Sequence, residues 1–395
     1  MSASIRFEAV DVVFGGRPGV ALPLLDAGQD RDAIKAATGQ IVAVHGADLT
    51  VARGQITVVM GLSGSGKSTL LRCVNGLVPV TRGRVLVEDE DGRTIDVGHT
   101  SDRKRQRLRQ ERVAMVFQSF ALLPWRTVGE NVGFGLELKG IDARRRAAIV
   151  AEKLALVGLE DWAQTYAHEL SGGMQQRVGL ARALATDAPI LLMDEPFSAL
   201  DPLIRDHLQN ELLALQARLQ KTILFVSHDL DEAMKLGHRI AIMEAGRIVQ
   251  AGTPEAIVTA PATGYVADFV ANLNPLNVLT TGSIMTPVRA LPHDGDTLLL
   301  ADGLKLQLDA NGRVTRLFDA TGEVRPTKAN GAAAPGQVVT TCAHTRLRRV
   351  VELRRQTGRP MLVTDAEDRV LGTIDDGQLF DGILNRQHPR PASGG

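Results

Sequence analysis

Residues 55–76 read QITVVMGLSGSGKSTLLRCVNG, and the succession of textures within them decides the fold. A β-branched run ending at Met60 is a strand, a Gly-rich turn follows, and from Lys67 onward Leu70, Leu71 and Val74 return at helical spacing. Strand, glycine loop and helix in that order make a phosphate cradle, because the glycines let backbone N–H groups close around an anion at a helix N-terminus. Within it, Lys67 is placed to bridge the β- and γ-phosphates of a nucleotide and Ser68 to ligate Mg²⁺.

Outward from this loop the chain keeps the α/β texture. Residues 190–193 and 222–226 read as buried parallel strands, 201–220 as the amphipathic helix between them, and 143–187 as helices. Two carboxylates, Asp194 and Glu195, stand just beyond the strand at 190–193, where the first can hold Mg²⁺ and the second can polarise an attacking water. Residues 1–14 alternate apolar and polar and read as an edge strand. The Gly- and Pro-containing stretch 15–44 reads as an inserted loop with one helix over 30–37. Past Pro275 the texture changes to short strands and turns, with a small-residue linker at 327–337, so a domain boundary is expected near residue 275.

Composition sets the remaining bounds. A chain of 395 residues predicts two domains, and 45 basic against 45 acidic residues leave no net field to recruit nucleic acid or an anionic membrane. Cys73 and Cys342 have neither metal-ligand nor CxxC spacing, which suits a reducing compartment. There is no signal-peptide pattern and no apolar run of spanning length, so the chain is expected to be cytosolic and to form no pore itself.

Residues 170–177, LSGGMQQR, lie between the two nucleotide motifs and resemble the signature motif of ABC-type ATPases. The family pattern then continues with Gln118 in 116–118, Asp201 in 198–201 and His228 in 226–229. The resemblance implies an α/β fold: a P-loop ABC ATPase core over residues 1–274, made of a parallel sheet, an antiparallel subdomain and a helical subdomain at about 120–187. It implies ATP bound by Phe14 under the adenine, by Gly61, Leu62, Ser63, Gly64, Ser65, Gly66, Lys67, Ser68 and Thr69 around the phosphates, and by Gln118, Asp194 and His228. Ser171, Gly172, Gly173 and Gln175 would reach a γ-phosphate across a homodimer that Asp201 ties together. Mg²⁺ would be held by Ser68, Gln118 and Asp194, and catalysis would rest on Glu195 as general base with His228 and Lys67.

The insertion before the phosphate loop and the segments around 198–205 and 225–243 are similar to importer ATPases for glycine betaine, proline and choline, and residues 272–279 favour a choline branch. That resemblance implies three partners: a transmembrane permease, a second copy of the chain and an extracytoplasmic solute-binding protein. It places the chain peripherally on the cytoplasmic face of the membrane, with no nucleic acid. Residues 275–395 resemble a small α+β regulatory domain of the cystathionine β-synthase (CBS) type whose first repeat, 291–323, is degenerate.

Rival readings are a soluble ABC ATPase of nucleic-acid repair or translation and a nucleotide-regulated module without hydrolysis. The first would bring tandem cassettes, a long coiled coil or zinc ligands. The second would be favoured by a substituted Glu195 or His228. The basic run 103–112 has no aromatics and reads as an exposed helix face. Trp125, beside Pro124, either receives a helix of the membrane subunit or packs on its own domain.

Overall fold

In the computed structural model the chain opens on β1 (Ala3–Phe14), followed by α1 (Leu22–Asp26), α2 (Arg31–Thr38), β2 (Ile41–Ala52), β3 (Ile56–Met60), α3 (Lys67–Cys73), β4 (Arg82–Glu88) and β5 (Thr94–Asp96). The structure describes residues 3–89, 92–119, 121–271, 276, 278–329 and 333–384, and the chain divides into two units, Met1–Val266 and Ala267–Gly395.

Four of these strands form an antiparallel sheet in the order β2-β1-β4-β5. The expectation of an edge strand at 1–14 is thereby corrected, since β1 is paired on both sides. Alternation along a strand reports which face is buried, not what lies at its edges. The buried Asp11 of β1 uses both neighbours, taking Arg82 Nε at 2.6 Å from β4 and His45 Nδ1 at 2.8 Å from β2.

The insertion is also more structured than the single expected helix. Besides α2, capped by Asp30 Oδ1 on Ala33 N and ended by Gly39 in the left-handed region, it holds α1 and a 3₁₀ turn over Pro18–Ala21, and residues 41–44 already belong to β2. Helices this short are not stable by propensity. They form because Ala21, Leu25 and Ile34 bury against Val13 and Val42 in a small core of their own.

Chain order then gives α4 (Asp102–Glu111), β6 (Val113–Val116), α5 (Val128–Leu138), α6 (Ala143–Leu156), α7 (Gly172–Ala185), β7 (Ile190–Asp194), α8 (Pro202–Leu219), β8 (Thr222–Val226), α9 (Leu230–Leu236), β9 (Arg239–Glu244), β10 (Arg247–Gly252) and α10 (Pro254–Thr259). The second sheet runs β10-β9-β3-β8-β7-β6 and is parallel except for β10. Every residue of β3, β6, β7 and β8 is buried, which is why these strands read as continuous apolar runs. Helices α5, α6 and α7 pack on one another between β6 and β7. In an open parallel sheet the loops leaving the carboxyl ends of the strands gather at one edge. Those after β3, β6, β7 and β8 carry residues 61–66, Gln118, Glu195 and His228. On α4, Leu108 is buried while most of the basic side chains are exposed.

The chain passes between the units within α11 (Gly264–Val270), and the second unit continues with α12 (Thr281–Ile284) and β11 (Thr286–Pro287). Next come β12 (His293–Asp294), β13 (Thr297–Leu299), β14 (Lys305–Leu308), β15 (Val314–Asp319) and β16 (Gly322–Glu323), an antiparallel meander. After them β17 (Thr327–Lys328), β18 (Val339–Cys342), α13 (Leu347–Thr357), β19 (Met361–Thr364), β20 (Val370–Ile374) and α14 (Asp376–Leu384) complete the unit. From β18 onward the order is strand, helix, two strands and helix. The linker expected at 327–337 is corrected at its start, because β17 pairs in parallel with β18 as the edge of the sheet β11-β20-β19-β18-β17. Residues 330–332 of that linker lie outside the described residues, as do 272–275 and 277 of the stretch that favoured choline and of the expected boundary.

Candidate functional site

Between β3 and α3 the backbone of residues 61–66 folds tightly enough to need glycine. Gly61 has φ +145° and Gly66 φ +99°, and a Cβ at either would run into a backbone carbonyl, that of Met243 or of Ala43. The loop wraps Lys67, whose buried ammonium donates to the carbonyls of Gly61 and Leu62, both at 2.9 Å. Burial lowers the Lys67 ammonium from the ordinary lysine value, while the carboxylates of Glu195 and Asp194 pull the other way. Ser65 Oγ, also buried, has no hydrogen-bond partner among the described residues.

From the first turn of α3, Ser68 Oγ donates to Asp194 Oδ1 at 2.7 Å, and from the next turn Arg72 Nη2 donates to Asp194 Oδ2 at 2.9 Å. Asp194 is wholly buried. A buried carboxylate left alone costs several kcal/mol, and α3 supplies the remedy from two residues one turn apart. Ser68 and Asp194 therefore offer adjacent hard oxygens, the donor chemistry of a small divalent cation that fills the rest of its shell with phosphate and water. No cluster of three or more His, Cys, Asp or Glu side chains suited to a metal lies among the described residues.

Glu195, the next residue, turns away. Its φ is +48°, and its carboxylate meets Gln118 Nε2 at 3.4 Å and His228 Nδ1 at 3.1 Å, both at Oε2. Its backbone is held by Glu195 N on the Val226 carbonyl at 3.0 Å and by Gln176 Nε2 on its own carbonyl at 3.2 Å. Together Ser63, Gly64, Gly66, Lys67, Ser68, Thr69, Gln118, Glu195 and His228 line one pocket of about 440 Å³, and all are residues expected from the sequence.

The other expected residues stand outside its lining. Gly61, Leu62, Ser65 and Asp194 belong to the loop and strand beneath it. Phe14, 42% exposed, ends β1 opposite Ile41. Ser171 caps α7 by accepting from Met174 N at 3.4 Å, with Gly172 exposed and Gly173 half-buried beside it, while Gln175 Nε2 donates to the Leu170 carbonyl at 3.1 Å. Asp201 caps α8, accepting from Ile204 N at 3.0 Å. Ser171 and Asp201 thus lie at exposed helix starts, as a role toward a second molecule requires. Sequence reasoning missed Arg72 and Gln176. Arg72 had a legible signal, because it stands four residues after Ser68 and hence on the same helix face. Gln176 had none, since its use depends on where β7 ends.

The sequence profile described as ABC transporter matches residues 44–198. The chain is 48% identical to the glycine betaine/proline betaine transport system ATP-binding protein ProV of Escherichia coli (strain K12), over 72% of this chain and 70% of that protein. It is 40% identical to the glycine betaine transport ATP-binding protein OpuAA of Bacillus subtilis (strain 168), over 99% of this chain and 94% of that one. Among solved structures, a dimeric post-hydrolysis state of the ATP-binding cassette MJ0796 bound to ADP and Pi superposes with a TM-score of 0.54 at 29% identity, covering 63% of this chain and 98% of that one.

Proposed function

This chain belongs to the ATP-binding subunits of ABC transporters, and on that premise we propose that it hydrolyses Mg²⁺-ATP in the pocket around Lys67 to drive uptake of a quaternary ammonium solute. The observation that carries the reading is the convergence of Lys67, Ser68, Gln118, Glu195 and His228 on that pocket from the ends of four parallel strands. The chain works with a permease made of other chains, and among its described residues no helix is long and apolar enough to cross a membrane. It acts on the cytoplasmic side of the membrane, beside a solute-binding protein that selects the cargo.

The phosphates of ATP rest on the N–H groups of residues 61–66, and Lys67 exchanges its loop carbonyls for phosphate oxygens. Ser68 and Asp194, with Gln118 nearby, would hold the Mg²⁺ ion, which would supply neutralisation of phosphate charge. Glu195 accepts a proton from water as the water oxygen bonds to the γ-phosphorus in line with the breaking bond to the β–γ bridging oxygen, giving ADP and phosphate. His228 and Gln118, both on Glu195 Oε2, hold that carboxylate in place. The γ-phosphate is completed from a second copy of the chain by Ser171 and the start of α7, where the N–H groups and the helix dipole favour an anion. Closing and reopening of this pair is the stroke delivered to the permease.

Among the solutes expected from the sequence, glycine betaine has greater support than choline. Both relatives above carry it in their names, whereas the choline reading rests on residues 272–279. The test is uptake of labelled glycine betaine and labelled choline in cells carrying the wild-type chain or Lys67→Ala. Lys67-dependent betaine uptake is expected; Lys67-dependent uptake of choline alone would reassign the cargo, and uptake of neither would remove the solute class.

A further inference from the structure

The side chain of His228 is 61% exposed, so packing does little to aim it, and its reach to Glu195 Oε2 at 3.1 Å depends on how its backbone is held. The residues on either side supply that hold. Ser227, buried, accepts from Asp229 N at 3.0 Å through its Oγ and donates the same hydroxyl to Glu232 Oε2. Asp229 caps α9, accepting from Glu232 N at 3.1 Å through Oδ1, and takes Arg205 Nη1 at 3.2 Å through Oδ2. On the other oxygen of Glu232, Gln209 Nε2 donates at 3.0 Å. Arg205 and Gln209 stand four residues apart in α8, hence on one face of that helix, and Arg205 Nη2 also meets the Leu200 carbonyl at 3.2 Å.

Glu232 is a buried carboxyl that the chemistry above does not use. Burial raises it above the ordinary glutamate value, against the hydrogen bonds from Ser227 and Gln209. An apolar residue of that size would avoid the desolvation. What the carboxyl adds is a pair of acceptor oxygens, one for the turn at 227–229 and one for α8. We propose that Glu232 and Arg205 are positioning residues for His228, which together with Ser227, Asp229 and Gln209 clamp the turn at 227–229 to α8 and so hold the exposed imidazole on Glu195. The inference deepens the ATP reading given above and rests on it. Loss of either residue loosens the turn, and the deficit falls on turnover, because the phosphate loop at 61–66 is not part of the clamp.

The experiment is steady-state ATP hydrolysis by the full-length chain reconstituted with its permease, with kcat and KM read separately. Glu232→Leu and Arg205→Ala are each expected to lower kcat about ten-fold, the scale of one charge-assisted hydrogen bond. KM for ATP stays within about two-fold of the wild type. Glu232→Gln, which keeps the shape and one acceptor oxygen, recovers most of the rate. Combined with His228→Ala, either substitution adds nothing further, because it acts through the imidazole; a residue needed only for stability would slow His228→Ala again by the same factor. The proposal is overturned by kcat near the wild type in both Glu232→Leu and Arg205→Ala, by a raised KM in place of a lowered kcat, by Glu232→Gln as slow as Glu232→Leu, or by full additivity with His228→Ala. If Glu232→Leu does not fold, the Arg205→Ala series decides. His228→Ala by itself tests the underlying reading: hydrolysis at the wild-type rate faults the role given to His228, whereas a slow His228→Ala beside fast Glu232→Leu and Arg205→Ala faults the clamp alone.

Discussion

At the scale of single residues, the junction of β7 with its loop concentrates the chemistry. Asp194 is the last residue of a buried strand and Glu195 the first beyond it, at φ +48°. A non-glycine residue in the left-handed region costs on the order of 1–3 kcal/mol and persists where its surroundings impose it. Here the backbone bonds from Glu195 N to Val226 and from Gln176 to the Glu195 carbonyl impose it. The turn sends neighbouring carboxylates to different partners, Asp194 to α3 and Glu195 to Gln118 and His228. Glu195→Gln keeps the shape and loses the base. It is expected to bind ATP as the wild type does, to accumulate a dimer on ATP, and to lose roughly 10²–10⁴-fold in turnover. Steady-state hydrolysis near the wild-type rate would remove Glu195 from that role. The acidic pair and the separate roles expected of its two members were legible in the sequence, but the backbone angle that parts them was not, because it is set by a strand and a helix distant in the chain.

At the scale of elements, α8 starts on a residue with two claims on it. Asp201 Oδ1 caps the helix through Ile204 N, and the resemblance gives the same residue a part in tying two copies together. The two uses separate by substitution, because Asn caps as well as Asp whereas Ala does not. Asp201→Ala is expected to cost ~1 kcal/mol, read as a lowered unfolding midpoint in denaturant. Asp201→Asn should keep that midpoint while weakening ATP-driven dimerisation, measured by light scattering. If Asp201→Asn dimerises like the wild type, the residue is a cap alone. The long elements were legible from period and caps: β3, β7, β8 and α8 fall where apolar runs and turn residues put them. The insertion was only partly so, since α1 and its 3₁₀ turn exist through contacts with Val13 and Val42 and not through any pattern of their own.

At the scale of the whole molecule, the second unit is the part whose role rests on resemblance. We read residues 275–395 as a regulatory domain of the CBS type, in which the meander β12–β16 stands in place of the first repeat. A chain truncated after residue 279, reconstituted with its permease, should hydrolyse ATP at a rate that no longer follows ionic strength. An unchanged salt dependence would reject a regulatory second unit. The sequence by itself determined the nucleotide chemistry and the parallel core, because glycines, a lysine, paired carboxylates and buried β-branched runs act through local geometry that a short stretch of chain specifies. Only the tertiary structure decided that β1 lies inside its sheet, that Arg72 meets the Asp194 carboxylate and Gln176 the Glu195 backbone carbonyl, and that the insertion reaches the phosphate loop through Arg31. Each of these is a meeting of segments distant in sequence, settled by which buried surfaces and unpaired polar groups find one another once the chain has collapsed.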